Sequence, residues 1–304
     1  MEFQKLELQD IDIIRPFFEM HTNRMCDNTA GVVVMWRDSF HTHYAIEDGT
    51  LFLRFSYGKQ KEIAYSMPIG LDKKRALETL KAYLAQTKQP VMICAIAKED
   101  LELVGEVFGE LRVRAERQWF DYLYEAEDLA TFKGRKFNGQ RNHINRFKKM
   151  FPAYRLVDID TVNVRRVQTF LKDYMKNNLK ENPTAKEEAR NALEVLEHFE
   201  IYQLFGAFIE VDGEIIAFSV GEKVNDTLFV HIEKALTDYH GSYQIMVNEF
   251  AKRFVSPKIL YINREDDVGD EGLRQSKLSY HPVQLIEKHL AKPKNQEDER
   301  GEDS

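Results

Sequence analysis

The chain has 304 residues, of which 43% are hydrophobic and 31% charged, and its formal net charge is −7. That length and apolar content suffice for roughly two domains with buried cores, while the acidic balance argues against general coating of nucleic acid. No run approaches the ~18–20 apolar residues of a membrane-spanning helix, the N-terminal stretch lacks the layout of a signal peptide, and Cys26 and Cys94 form no CxxC pair, so the expectation is a cytoplasmic protein with reduced thiols.

In chain order, "DIDIIRPFFEMHT" reads as a short helix capped by Asp10, with Pro16 near its first turns. "GVVVMWRDSFHTHYAIEDGTLFLRFSYG" reads as strands, with Asp48-Gly49 marking a hairpin, and "KEIAYSMPIG" adds another. "DKKRALETLKAYLAQT" is a helix capped by Asp72, with Ala76, Leu77, Leu80, Tyr83 and Leu84 at helical spacing. "PVMICAIA" follows as a strand, "KEDLELVGEVFG" as a helix and "LRVRAERQWFDYLYEA" as a strand. "EDLATFKGRKFNGQRNHINRFKKMFP" reads as two helices around a glycine-broken loop, ending at Pro152. After the strand "AYRLVDI", residues 161–200 are mostly helical. A three-stranded meander over 202–235 turns at Asp212-Gly213 and Asn225-Asp226; then come the helix "SYQIMVNEFAKRFV", the strand "KILYINRED", the short helix "GLRQSKLS" and a last strand "HPVQLIEKHLA". The polar tail 293–304 reads as disordered. Each half thus repeats meander, helix, strand, helix, strand, which predicts an α+β protein of two similar domains, 1–129 and 130–292.

One segment breaks the acidic balance. "FKGRKFNGQRNHINRFKK", residues 132–149, holds Lys133, Arg135, Lys136, Arg141, Arg146, Lys148 and Lys149 and no acidic residue. Phe137, Ile144, Phe147 and Phe151 form an apolar helix face that would pack in the core. The opposite face carries Arg141, Asn142, Asn145, Arg146 and Lys149, with Arg135 and Lys136 arriving from the loop. A basic helix face is usually a solvated one, but such faces mix signs and this one does not. Arginine favours planar, bidentate recognition of phosphate or carboxylate. Arg135, Lys136, Arg141, Asn142 and Arg146 are therefore the candidate anion-binding set. His41 and His43 are too few ligands for zinc, so no metal is expected. No GxSxG elbow and no GxxxxGK[ST] loop is present.

Four segments taken together carry a family resemblance: "VVMWRDSFHTHYAIEDGTLFLR", "DYLYEAEDLATFKGRKFNGQRNHINRFKK", "YHGSYQIMVNEFA" and "YINREDDVGDEGLRQSKLSYHP". Over about residues 25–292 the chain resembles soluble relatives of the phosphatidylglycerol lysyltransferase C-terminal domain, which are tandem-GNAT proteins related in fold to Fem-type peptidyltransferases. The resemblance implies two GNAT-like (acyl-CoA N-acyltransferase-like) domains and acyl transfer from a phosphate-bearing donor, acyl-coenzyme A or aminoacyl-tRNA, to an amine or hydroxyl acceptor. It implies roles as well. Glu233, His231 and Asn263 become candidate catalytic residues, because the fourth strand of such a domain commonly supplies a proton-accepting glutamate. Strict alternation would place Phe229, His231 and Glu233 on one face of that strand. Tyr239, His240, Gly241, Ser242, Tyr243 and Gln244 occupy the loop and helix start that cradle coenzyme A pyrophosphate in relatives, although Tyr243 and Ile245 stand where small residues are expected. Arg274 and Lys277, one helical turn apart, are the remaining candidates for donor phosphate. The acids Asp266, Asp267, Asp270 and Glu271 read as a solvated loop or as an attractor for an amine. An alternative is a non-catalytic tandem-GNAT protein that binds a phosphate-bearing ligand or tRNA. The first domain lacks a glycine-rich loop before its "DKKRALETL" helix and reads as structural.

Overall fold

A computed structural model describes residues 1–57, 62–179 and 183–294. The chain forms two compact units. The first contains the chain up to Phe120 and again from Ile286 onward; the second is Asp121–Leu285. The units divide at 120/121, where the sequence pattern suggested 129/130, and the chain returns to the first unit after Leu285. Of the tail expected to be disordered, residues 295–304 lie outside the described part.

In the first unit, β1 (Gln4–Lys5), α1 (Ile11–Phe18) and α2 (Ala30–Met35) precede β2 (His43–Glu47), β3 (Thr50–Tyr57) and β4 (Glu62–Ser66). Then come α3 (Lys73–Thr87), β5 (Ile93–Ile96), α4 (Leu101–Phe108) and β6 (Leu111–Ala115). Ala76, Leu77, Leu80 and Leu84 bury the inner stripe of α3, whose first turn is capped by Asp72 Oδ1 accepting the Arg75 N–H at 3.0 Å. "GVVVM", expected as a strand, is the helix α2. Thr29 Oγ1 caps it by accepting the Val32 N–H at 3.3 Å, and burial of Ala30, Gly31, Val33, Val34 and Met35 overrides the β preference of a valine run.

In the second unit, β7 (Asp121–Glu125), α5 (Ala126–Thr131) and α6 (Asn138–Met150) lead to β8 (Arg155–Asp158). Helices α7 (Val164–Asn178), α8 (Pro183–Glu197) and α9 (Phe199–Tyr202) follow. The meander is β9 (Phe205–Val211), β10 (Glu214–Val224) and β11 (Thr227–Ala235), and after it come α10 (Ser242–Phe254), β12 (Tyr261–Asn263), α11 (Glu271–Leu278) and β13 (Gln284–Ile286). The last strand is β14 (His289–Pro293).

Among the described residues each sheet has seven strands. The first is ordered β1-β2-β3-β4-β5-β14-β6 and the second β13-β7-β12-β11-β10-β9-β8. In each, the meander meets the next strand in parallel: β4 with β5 and β11 with β12. The strand after that is supplied by the other half of the sequence. β14, near residue 290, pairs with β5 and β6; β7, near the end of the first half, pairs with β12. This is the α+β architecture of two tandem GNAT-like domains that have exchanged their last strands. "LRVRAERQWFDYLYEA" and "HPVQLIEKHLA", each expected as one strand, are therefore two strands apiece, β6/β7 and β13/β14, and each pair divides between the sheets.

Candidate active site

The site is built where β11 leaves β12. The two strands pair through Thr227↔Tyr261, Leu228↔Ile262 and Phe229↔Asn263, and beyond that last pair β12 ends while β11 continues to Ala235. On its other side β11 carries a bulge. Val220 faces Ile232 and Gly221 faces Val230, so His231 is the extra residue. Gly221 makes the bulge sterically feasible, since a Cβ there would lie 2.0 Å from the Phe229 carbonyl oxygen.

The bulge breaks the alternation expected from the sequence. Glu233 pairs with Ser219, its carboxylate accepting from Ser219 Oγ at 3.3 Å, on the side of β10 and β11 whose Ala217, Val230 and Ala235 join the core with α10. His231 stays with Phe229, their rings stacked at 6.4 Å. Its Nε2 lies 2.9 Å from Glu222, the cross-strand partner of Phe229. Glu233 and His231 are thus on opposite faces of the sheet, not on one.

Each is also fully engaged. His231 sits between two carboxylates, with Nε2 to Glu222 and Nδ1 to Glu265 at 2.8 Å. Burial disfavours its charge, but the two hydrogen bonds outweigh that and raise its pKa to about 9. At neutral pH it is an imidazolium and cannot accept a proton. Glu233 receives a hydrogen bond from Arg264 at 2.6 Å. Arg264 is itself buried, and its guanidinium lies 4.7 Å from the centre of the Tyr280 ring. Asn263 is buried, donates to Asp121 at 3.0 Å and accepts the Glu265 N–H at 2.6 Å, which fixes the turn in which Glu265 adopts φ 57°.

The loop from β12 to α11 is organised from within. Asp267, fully buried, accepts from Tyr122 Oη at 2.6 Å, from Arg274 at 3.0 and 2.9 Å, and from the Gly269 N–H at 3.0 Å. Burial opposes its charge, yet these donors bring its pKa down to about 2. Lys277 is buried and donates to the carbonyls of Arg264, at 2.5 Å, and Asp266. Burial, with Arg264 adding repulsion, lowers its pKa. Asp270 caps α11 through the Leu273 N–H at 2.7 Å. Arg274 and Lys277, expected at donor phosphate, hold this loop together, and Asp267 and Asp270 of the expected acidic loop are structural.

The start of α10 is covered. Gly241, at φ 88°, packs so closely on α6 that a Cβ would lie 2.8 Å from the His143 carbonyl oxygen and 3.3 Å from Phe147. His143 Nδ1 and His240 Nε2 are 3.0 Å apart, Tyr239 packs against Phe151, and Ser242 Oγ donates to Leu236 O at 2.8 Å. Burial, followed by Tyr174, raises the pKa of the Tyr243 hydroxyl. Gln244 is half-buried beside it. At the loop expected to cradle a pyrophosphate, 239–244, α6 therefore stands where a side chain on Gly241 would project.

The basic segment divides in two. Arg141 donates to the carbonyls of Phe132 and Gly134, the latter at 2.7 Å, and to Asn138 Oδ1, closing the end of α5. Lys136 pairs with Asp128 at 2.7 Å and Lys148 with Glu249 at 3.5 Å. Asn142, Arg146 and Lys149 are exposed on α6 and Arg135 is exposed in the 3-10 turn before it, with Arg146 close enough to His240 to lower its pKa after burial has done so. Of the five residues expected to bind an anion, Arg141 and Lys136 are engaged within the fold, while Arg135, Asn142 and Arg146 are exposed.

The residues not singled out from sequence are Glu222, Arg264 and Glu265. The signal for Glu222 was a carboxylate inside the apolar strand "IIAFSVGEKV", where a buried charge requires a partner. Arg264 and Glu265 lie inside "NREDD", a run whose sequence does not show which buried groups they face.

A family model described as "Phosphatidylglycerol lysyltransferase, C-terminal" matches residues 18–292. The chain belongs to this family. The phosphatidylglycerol lysyltransferase C-terminal match spans both units. A crystal structure of a conserved protein of unknown function from Bacteroides thetaiotaomicron is similar at 34% identity and TM-score 0.90, over 97% of this chain and 100% of that one. The structure of L-PGS from Bacillus licheniformis shares the fold at 15% identity and TM-score 0.67, over 97% and 95% of the two chains. An uncharacterised protein of Mycoplasmoides gallisepticum is 28% identical over 176 residues, 57% of this chain; the match spans 56% of that relative's length. No helix of the described residues is long and apolar enough to cross a membrane.

Proposed function

We propose that the second unit transfers an aminoacyl group from aminoacyl-tRNA to an amine or hydroxyl acceptor. The observation that carries this reading is the divergence of β11 from β12 beyond Phe229 and Asn263. Among the described residues, β11 has no strand partner on that side from the His231 bulge onward, an edge suited to polarise an ester carbonyl and stabilise its oxyanion through backbone N–H groups. The exposed Arg135, Arg146 and Lys149 supply positive charge for a polynucleotide backbone. Family membership supports an acyl or aminoacyl transferase. Acyl-coenzyme A fits less well, since Tyr243 and Ile245 stand where small residues are expected in a coenzyme A loop.

With His231 cationic and Glu233 bound to Arg264, neither is a free general base. Catalysis in this reading rests on positioning and carbonyl polarisation. The same engagement favours the second reading, a non-catalytic protein that binds charged tRNA. The test uses the full chain, bulk tRNA charged with labelled amino acids, and a mixture of amine and hydroxyl acceptors. Transfer of label, or faster loss of the aminoacyl ester, supports the enzyme, together with no calorimetric signal from acetyl-coenzyme A. Tight filter binding of charged tRNA with an unaltered ester lifetime supports the binding protein. Absence of binding and of turnover overturns both.

A further inference from the structure

The first unit holds a buried thiol and a buried amine in contact. Cys26 begins a single turn of 3-10 helix, Cys26–Asn28, and is 5% exposed. Lys288 directly precedes β14, its side chain 9% exposed. Its Nζ lies 3.1 Å from Cys26 Sγ and 2.6 Å from Asp27 Oδ2, and Asp27, with its side chain 40% exposed, is the member of the group open to solvent. Nothing in the acyl-transfer reading uses these three residues. A lysine this buried is uncommon without a partner of opposite charge, and here it is given a carboxylate on one side and a sulfur on the other.

The second cysteine supplies a contrast. Burial pushes the Cys94 thiol up to about 12, with the charge of Asp27 adding, so that sulfur stays protonated and unreactive at neutral pH. Cys26 instead has Lys288 Nζ 3.1 Å from its sulfur and the Asp27 carboxylate 3.8 Å from it, so an amine nucleophile stands within reach of that sulfur.

We propose that Cys26 and Lys288 form a reversible covalent cross-link on exposure to peroxide. Cys26 Sγ attacks one oxygen of hydrogen peroxide, the O–O bond breaks, the departing hydroxide takes the thiol proton and leaves as water, and a sulfenic acid forms. The Lys288 amine then attacks the sulfenyl sulfur. An S–N bond forms, the S–OH bond breaks, and the departing hydroxide takes the proton shed by the amine. In sum, one thiol, one amine and one hydrogen peroxide give one sulfenamide and two waters; sulfur is oxidised and peroxide oxygen reduced. A thiol reductant reverses the step. The cross-link ties the turn before α2 to the residue before β14 and so fastens the strand that the end of the chain lends to the first sheet. The Lys288–Asp27 ion pair holds the same place in the reduced protein.

The experiment treats the full-length protein with equimolar hydrogen peroxide, measures intact mass and maps tryptic peptides. The expected product is about 2 Da lighter, yields one peptide joining Cys26 to Lys288, reverts with dithiothreitol, and melts higher than the untreated protein. The Cys94→Ser variant behaves the same. Lys288→Arg, which keeps the ion pair with Asp27 but offers a far poorer nucleophile, gives no cross-link and instead becomes about 16 or 32 Da heavier. An unchanged mass, wild-type protein made heavier with no joined peptide, or a lighter product whose map joins Cys26 to Cys94 would each overturn the proposal. The wild-type peptide map is decisive even where a variant fails to fold.

Discussion

His231 lies between Glu222 and Glu265, and that position sets how the fold responds to alkali. In the unfolded chain a histidine titrates near 6.5, and in the folded one this residue holds its proton to about 9. A raised pKa stabilises the fold fully below the unfolded value, and the contribution is lost as pH rises from about 6.5 through 9. Thermal melts should therefore fall across that window. His231→Gln should flatten the fall and cost about 3 kcal/mol or more, because two carboxylates are left without their cation; an unchanged slope would mean that the imidazole is not charged. A second contrast concerns the basic segment. Arg141 donates to the carbonyls that end α5, so Arg141→Ala should lower stability by about 1–3 kcal/mol with little change in tRNA affinity. Arg146 is exposed, and Arg146→Ala should do the reverse, weakening binding and reducing its salt dependence. Filter binding at two salt concentrations, with melts of both variants, separates these roles.

At the scale of elements, the bulge in β11 decides which side chains share a face, and it was not legible in the sequence. Period-2 alternation in "TLFVHIEKA" groups His231 with Glu233; one extra residue moves Glu233 to the opposite face, where it meets Ser219 and Arg264. The only local hint was Gly221 on the neighbouring strand, and its reason lies in tertiary structure, a carbonyl 2.0 Å from where a Cβ would sit. Gly221→Ala should push the strands apart or remove the bulge, with a loss of several kcal/mol by denaturant melt and loss of the His231–Glu222 contact; a melt within about 0.5 kcal/mol of wild type would show that the strands yield easily. What was legible had strong local causes. The α3 helix announced itself through its Asp72 cap and apolar spacing, and the α6 core face through Phe137, Ile144 and Phe147. The polar engagement of Arg141, Lys277 and Arg274 was not, because a sequence shows that a cation is present but not which carbonyl or carboxylate lies opposite it.

At the scale of the whole molecule, the exchange of last strands makes the first unit depend on the end of the chain. β14 lies inside the first sheet, pairing with β5 at His289↔Ile96 and Ala291↔Ile93 and with β6 over five residues from His289↔Ala115 to Pro293↔Leu111. Without it β5 becomes an open edge and β6 loses the strand that joins it to the sheet. The exposed N–H and C=O groups and the apolar side chains they flank are then a template for aggregation. β7 plays the matching part in the second sheet but belongs to the same continuous stretch, Asp121–Leu285, as its neighbours, so the second unit has no such dependence on a distant segment. A chain ended after Glu287 keeps β13 and removes β14 and Lys288 together. Hydrogen exchange should then show amides at 51–54 and 93–96 losing protection while those at 205–211 and 227–235 keep it, and calorimetry should show the melting of the first unit lost or shifted down by many degrees. Lys288→Arg in the full chain controls for the ion pair to Asp27, because it leaves β14 in place. If the truncated chain kept protection at 93–96, the first sheet would be stable without its borrowed strand, and the exchange would be a matter of connectivity alone.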